Sequence, residues 1–256
     1  EASHSELSLE LRSFMLQQPG AVPEGSCQDT MMKVVVVLAE EDQVSIEREV
    51  LNGLAAVEAV AARREGDLRG LDEADALIVY PTLTLSSRTI DSLKNCRLIV
   101  RGGVGYDNID YEYARTLGIP VANVPSYGTE EVADSAIGLI LSLTRGIALL
   151  NSRLRRRLGP WSHLPAIPLR RLRGQTLGIV GLGRIGTAVA VRASGFGMRI
   201  AFYDPYKPDG YDKALGVRRS ETLDELLAES FVVSIHCPLT DETRRMIDAA
   251  AIGRMP

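Results

Sequence analysis

The chain is short of cysteine, of aromatic residues and of surplus positive charge. Three cysteines in 256 residues, Cys27, Cys96 and Cys237, stand far apart with no C-x-x-C pair. Neither a disulfide framework nor a zinc site is implied, and no other metal cluster stands out. Lys and Arg number 29 against 33 Asp and Glu, a net charge of −4. That gives no cationic field for a phosphate backbone, so nucleic acid is not an expected partner. Aromatic residues make up 5%, and no aromatic ladder accompanies the arginines between 153 and 173. Those arginines, interrupted by Gly159-Pro160-Trp161 and Pro165, read as a solvated connecting arm. No apolar run reaches the roughly 20 residues that a bilayer requires, and no secretory signal is visible. A reducing cytoplasm is the expected compartment, and no membrane is an expected partner.

What is there is ordinary globular material. Apolar residues are 45% and charged residues 24%, which excludes wholesale disorder. At roughly 150 residues per domain the chain holds one large domain or two ordinary ones. Residues 1–32 carry Pro19, Gly20, Pro23 and Gly25 without a sustained period and read as a disordered tail. From there strands and helices alternate. Lys33–Leu38 is a continuous β-branched run, the mark of a strand buried on both faces. Gln43–Leu54 has helical spacing, Ala76–Tyr80 is a strand, and Ser86–Leu93 is a short helix. Leu98–Arg101 is a third strand that opens into Gly102-Gly103-Val104-Gly105. Asp110 caps a helix to Leu117, and Ile119–Ala122 is a fourth strand. Thr129 begins a long helix reaching Leu150 or beyond. Its apolar residues cover most of the circumference, so burial on several sides is expected, as in a domain-spanning or dimer-interface helix.

A second α/β series begins at Thr176. Strand Thr176–Val180 runs into Gly181-Leu182-Gly183-Arg184-Ile185-Gly186, followed by the helical run Thr187–Phe196. Strand Arg199–Tyr203 comes next and Asp204 closes it, 18 residues after Gly186, as the motif requires. Each glycine serves a physical purpose, with a tight turn at 181, close approach of a pyrophosphate at 183 and helix-to-strand packing at 186. The helix start adds free N–H groups and about half a positive charge. Asp204 is placed to accept from the adenosine ribose hydroxyls and to repel a 2′-phosphate, so NAD is expected over NADP. Thr222-Leu-Asp-Glu225 has capping-box spacing and opens a helix to Ala228. Strand Phe231–His236 then leads into Cys237, Pro238, Leu239 and Thr240, with Thr243 just beyond, at the sheet edge where the cofactor belongs. His236 reads as a residue closing that strand, and Cys237 as a small packed residue. The α/β pattern predicts two flavodoxin- or Rossmann-like domains with parallel sheets.

These residues carry a family resemblance. Val100-Arg-Gly-Gly-Val-Gly-Tyr-Asp-Asn-Ile-Asp110, Asn123-Val-Pro125 with Glu130-Glu-Val-Ala-Asp134, and Leu177 to Gly186 are its motifs. Phe202-Tyr-Asp-Pro-Tyr206 and His236-Cys-Pro-Leu-Thr240 complete them. The chain resembles the D-isomer-specific 2-hydroxyacid dehydrogenases, particularly the branch of the C-terminal binding proteins, from about Lys33 to Pro256. The resemblance implies a substrate domain beginning at 33–124, a hinge at 125–128 and an NAD-binding domain from 129 to 256. It implies that the loop at Gly103, Val104 and Gly105 and the side chain of Arg101 hold a substrate carboxylate. It makes Val104 and Val132 cofactor-contacting positions, although that branch has hydroxyl residues there. The implied reaction is hydride transfer between NAD(H) and a 2-hydroxy or 2-oxo acid by a homodimer. The family's catalytic Arg, Glu and His would follow the segment that resembles Asp248–Pro256 and have no counterpart here. The nucleotide domain is therefore expected to be incomplete and the chain by itself an inactive fragment. The alternative within the same resemblance is a corepressor-like scaffold that senses NAD(H).

Overall fold

The structure is a computed structural model that describes residues 31–38 and 44–256. The tail 1–32, with Cys27, lies almost wholly outside the described residues. The chain divides into two compact units between Gly128 and Thr129.

The first unit begins with strand β1 (Met32–Leu38), whose run Val34 to Leu38 is buried throughout. Alternate valines enter opposite cores: Val35 and Val37 join Leu77, Val79 and Ile99, while Val34 and Val36 join Ile78 and Val100. Burial on both faces is what a parallel sheet between two helical layers demands. Helix α1 (Ser45–Val50) follows, then β2 (Ala55–Ala61), β3 (Ala76–Val79), helix α2 (Ser87–Ile90) and β4 (Leu98–Arg101). Helix α3 (Tyr111–Thr116) and β5 (Val121–Asn123) complete the unit, and the sheet order is β2-β1-β3-β4-β5, all parallel. This is the doubly wound 2-1-3-4-5 order. Asp110 caps α3 as expected, accepting from the Tyr113 N–H at 3.1 Å.

One expectation fails here. The helix foreseen to Leu54 stops at Val50, and an edge strand β2 follows that the residue pattern does not announce. Its sequence AAVEAVA is alanine-rich, which favours helix. Pairing along all seven residues of β1, from Met32 with Ala55 to Leu38 with Ala61, overrides that preference.

The second unit opens with helix α4 (Thr129–Thr144) and α5 (Ile147–Arg155). The single long helix expected here is broken, and the two segments meet at a bend of 68°. Gly146 sits between them in the left-handed region at φ 65°, and a Cβ there would come within 2.6 Å of the Ala166 Cβ. Burial on several sides fails too within one chain: Leu139 is 72% and Leu143 77% exposed, while Ala133 and Ile140 face the core. Among the described residues no single helix is long and apolar enough to cross a membrane.

Strand β6 (Thr176–Val180) is fully buried and feeds helix α6 (Arg184–Gly195), which starts three residues earlier than the apolar spacing suggests. Then come β7 (Arg199–Tyr203), α7 (Tyr211–Leu215), the two-residue β8 (Arg218–Arg219), α8 (Leu223–Glu229), β9 (Val232–Ile235) and α9 (Ala249–Ile252). Thr222 and Glu225 form the expected capping box on α8. The sheet is parallel in the order β8-β7-β6-β9. Strand order reverses at β6, between β7 and β9, so the binding crevice of such a sheet lies over the carboxyl end of β6. Phe202 is fully buried beneath that end in the core with Ile179 and Val189. Truncating it to Ala would cost about 3–5 kcal/mol.

Candidate functional site

In the first unit, chemistry collects at the carboxyl ends of β3 and β4. Arg101 ends β4 and is 8% exposed, with an Nε that has no hydrogen-bond partner. No ion pair to it is found among the described residues. Burial pushes its pKa down, against weaker support from Tyr127 and Asp107. A guanidinium held this way carries charge that the fold itself does not neutralise, and an incoming carboxylate would.

The glycine loop beside it divides its N–H groups. Gly102 donates to the Val79 carbonyl at 2.8 Å and Gly103 to the Arg101 carbonyl at 2.7 Å. Those two amides are spent within the turn. The N–H groups of Val104 and Gly105 have no acceptor among the described residues. Gly103 serves by having no side chain, since a Cβ there would overlap Arg101 Nη1. The turn is fixed on its acceptor side: Val124 N–H donates to the Gly103 carbonyl at 3.1 Å and Asn123 Nδ2 to the Val104 carbonyl at 2.7 Å.

A neighbouring pair escaped the sequence reading. Tyr80 donates its hydroxyl to Glu47 Oε1 at 2.6 Å, and Glu47 is buried on α1. Burial first, then the carboxylate, pushes the Tyr80 pKa up. The tyrosine ring packs on Gly102, where a Cβ would come within 2.7 Å of it. A glutamate four residues before a buried leucine looks like any solvated helix face, so only the fold reveals it.

In the second unit, Gly181 takes a left-handed φ of 88°, and a Cβ there would lie 2.7 Å from the Cys237 amide nitrogen. A Cβ at Gly186 would strike the Gly181 carbonyl. Gly183 caps α6 without a side-chain hydrogen bond, and nothing lies within 4 Å of the Cβ position there. The first-turn N–H groups of this twelve-residue helix, at Arg184 and Ile185, therefore face room for an anion. Asp204 accepts from the Leu182 N–H at 2.9 Å and from the Tyr206 N–H at 3.0 Å. Each carboxylate oxygen retains a further lone pair for a ribose hydroxyl.

The loop after β9 lies across from Asp204, on the other side of β6. Thr243 Oγ1 donates to the Pro238 carbonyl at 2.6 Å and accepts from the Thr240 N–H at 2.8 Å, which locks the turn. Leu239 is 49% exposed above it. Cys237 packs its sulfur 3.8 Å from Met246 Sδ, and burial pushes its thiol pKa up. Both observations fit a packed thiol. His236 Nε2 lies 2.8 Å from Ser234 Oγ, and burial holds its pKa below the usual histidine range. Val132 is 44% exposed in the first turn of α4. A cavity of about 1040 Å³ opens elsewhere in this unit, at the amino ends of β6 and β7 among Thr176, Arg199 and Lys213. Four of its rim charges pair as Arg218–Glu229 and Arg219–Asp209, and it lies at the opposite end of the sheet from the crevice.

The glycine turn over β6 leaves room above Gly183 for a pyrophosphate, and Asp204 stands one strand away for a ribose. That places the second unit among the doubly wound dinucleotide-binding α/β proteins. Comparison with known proteins narrows the class. Residues 137–256 match the family model described as "D-isomer specific 2-hydroxyacid dehydrogenase, NAD binding domain". The chain is 38% identical over 224 residues to C-terminal-binding protein 1 of Caenorhabditis elegans, covering 85% of this chain and 31% of that protein. It is 40% identical over 185 residues to hydroxypyruvate reductase of Thermotoga maritima, covering 72% and 58%. D-lactate dehydrogenase from Aquifex aeolicus, solved with NAD and lactic acid, superposes with a TM-score of 0.76 at 29% identity, covering 87% and 66%. The chain belongs to the D-isomer specific 2-hydroxyacid dehydrogenase family, and its second unit carries that family's NAD-binding domain. It spans less than two thirds of the two curated relatives' lengths.

Proposed function

We propose that this chain is the carboxylate- and NAD-binding part of an oxidoreductase that transfers a hydride between NAD(H) and a small 2-hydroxy or 2-oxo acid. The observation that carries the substrate half is Arg101: a buried guanidinium without a counter-ion, next to two free amides, is built for a carboxylate. On this reading Arg101, Val104 and Gly105 hold the acid, with Gly103 giving the guanidinium room. The Arg184 and Ile185 amides hold the pyrophosphate, with Gly181, Leu182, Gly183 and Gly186 shaping the turn. Asp204 holds the ribose. Val104, Val132 and the 237–243 turn, through Pro238, Leu239, Thr240 and Thr243, border the cofactor. Bound NAD supplies the hydride acceptor, and the chain's own groups bind and orient the two reactants. The test is titration with NADH, followed by quenching of its fluorescence with glyoxylate and hydroxypyruvate. NADH binding without any response to a 2-oxo acid would remove the substrate half.

The identity to C-terminal-binding protein 1 favours a second reading, an NAD(H)-sensing scaffold of the corepressor kind. It predicts NADH-dependent assembly without turnover by the full-length protein. Either reading calls for a second copy of the chain. Leu139, Leu143 and Ile147 are 72%, 77% and 54% exposed, an apolar stripe that a homodimer would cover. Leu143→Asp should give a monomer by sedimentation, and a wild-type chain that is monomeric at micromolar concentration would refute this. Neither nucleic acid nor a membrane enters this reading. It places the protein in the cytoplasm, where Cys96 and Cys237 stay reduced.

A further inference from the structure

Two carboxylates meet one tyrosine beside the adenosine side of the crevice. Tyr206 lies three residues past β7. Its N–H donates to Asp204 Oδ1 at 3.0 Å, and its hydroxyl donates to Glu242 in the turn after β9. Strands β7 and β9 flank β6 on opposite sides. The Tyr206–Glu242 bond therefore passes over the carboxyl end of β6, where the glycine turn begins. Both side chains are exposed, Tyr206 at 76%, so the fold does not require this bridge for burial. The hydrogen bond to Glu242 is the first cause raising the Tyr206 pKa, and a phenol, ordinarily at about 10, is in any case a donor at neutral pH.

We propose that Glu242, held in place by Tyr206, is a second determinant of dinucleotide choice, acting with Asp204 to exclude a 2′-phosphate. The inference rests on the cofactor site described above. A 2′-phosphate carries about −1.5 to −2 charges, and it would enter between the two acids at the ends of one tyrosine. Two of the nearby cations are engaged elsewhere. Lys207 Nζ lies 4.7 Å over the Tyr211 ring, and Arg244 faces Asp241 at 3.9 Å. Arg184, at the start of α6, and Arg245 carry no ion pair among the described residues, so the repulsion must outweigh what they would offer a phosphate. Two acids explain more than one. With Asp204 removed, Glu242 still repels, so a single change at Asp204 leaves NADP(H) disfavoured. Tyr206 is a positioning residue in this scheme, because it acts through the carboxylate it holds.

The test compares NADH and NADPH affinities of wild type, Glu242→Gln, Tyr206→Phe, Asp204→Asn and the Asp204→Asn/Glu242→Gln pair, by fluorescence titration at low and at high salt. The NADPH-to-NADH affinity ratio should rise about threefold in Glu242→Gln at low ionic strength. That gain should shrink at high salt, as a screened repulsion between exposed charges must. Tyr206→Phe should move the ratio the same way by less, and the pair should exceed Asp204→Asn alone. A merely structural role would lower both affinities together and leave the ratio still. Glu242→Gln that binds NADH with an unaltered ratio at both salt concentrations overturns the proposal and leaves the NAD site standing. A wild-type chain that binds neither dinucleotide overturns both.

Discussion

The two units solve one problem twice with different chemistry. Each sends a parallel strand, β4 or β6, into a glycine turn at the carboxyl edge of its sheet. In the first unit the turn leads into no helix. It spends two amides on itself, leaves those of Val104 and Gly105 free and sets them beside a buried guanidinium. In the second the turn is the start of α6, whose own N–H groups and dipole face the crevice. A carboxylate is compact and pairs well with one arginine. A pyrophosphate is broader, and several aligned amides without side chains between them suit it better. Glycine is needed in both, but for different clearances: around Arg101 Nη1 at Gly103, and against the Cys237 backbone at Gly181.

That difference sets the largest expected effect. Gly181→Ala would force a side chain into φ 88° and a Cβ to 2.7–2.9 Å from backbone atoms of residues 236–237. It should cost about 2–4 kcal/mol in thermal or denaturant unfolding. NADH affinity should fall roughly a hundredfold, because the turn must shift to accommodate it. Gly105→Ala in the other turn meets only the Asp107 side chain, at 3.2 Å, and should cost under about 1 kcal/mol. Equal damage from both would dissolve the contrast.

Arg101→Met separates binding from stability. It removes a buried charge that the fold leaves unpaired, so the melting temperature should hold or rise. Binding of a 2-oxo acid to the NADH-loaded chain should weaken at least about tenfold, since a charge-assisted bond is worth about 1.5–3 kcal/mol. Arg101→Lys should not restore it, because a point charge lacks the planar fork. A large drop in melting temperature would make Arg101 a structural residue.

Legibility followed the same division. The strands with uninterrupted β-branched or apolar runs, β1, β3, β4 and β6, stand in the residue pattern, because burial on both faces leaves no room for polar alternation. So does the glycine motif, because its spacing encodes a turn, an approach and a packing contact. Strand β2 does not, since alanine reports no face and its state is decided by β1. The break at Gly146 hides inside a run of apolar residues whose period continues through it. The two acid–tyrosine pairs, Glu47–Tyr80 and Glu242–Tyr206, join residues 33 and 36 positions apart. No local spacing brings such partners together. Which loop amides are free was also invisible, because it depends on the carbonyls of Val79 and Arg101 lying within reach.

Asp204→Ala should lower NADH affinity about tenfold and NADPH affinity less. Part of the loss arises in the turn, because Asp204 also holds the Leu182 amide. Hydrogen exchange at Leu182 should quicken in this variant while the strands of the first unit keep their protection. Fluorescence titration with the two dinucleotides reads the binding. Equal losses for both would show that Asp204 only braces the loop.

The smallest expected effect separates the units by pH. The second unit has His236, whose ring burial holds below the usual histidine pKa; the described part of the first unit has no histidine. In the unfolded chain that ring returns to about 6.5. Above that value both states carry it neutral, and the stability it contributes is fully present. As pH falls below about 6.5 the unfolded chain takes up the proton more readily, so folding stability declines until the folded ring also protonates. The ring is partly in water, which discounts the effect to less than about 1 kcal/mol, or about 2–4 °C in melting temperature. Hydrogen exchange at pH 7 and pH 5, corrected for intrinsic rates, should show β6 and β9 losing protection while β1, β3 and β4 keep theirs. His236→Asn should flatten the dependence. Its persistence in that variant, or an equal loss of protection in both sheets, would mean that some other group couples the fold to protons.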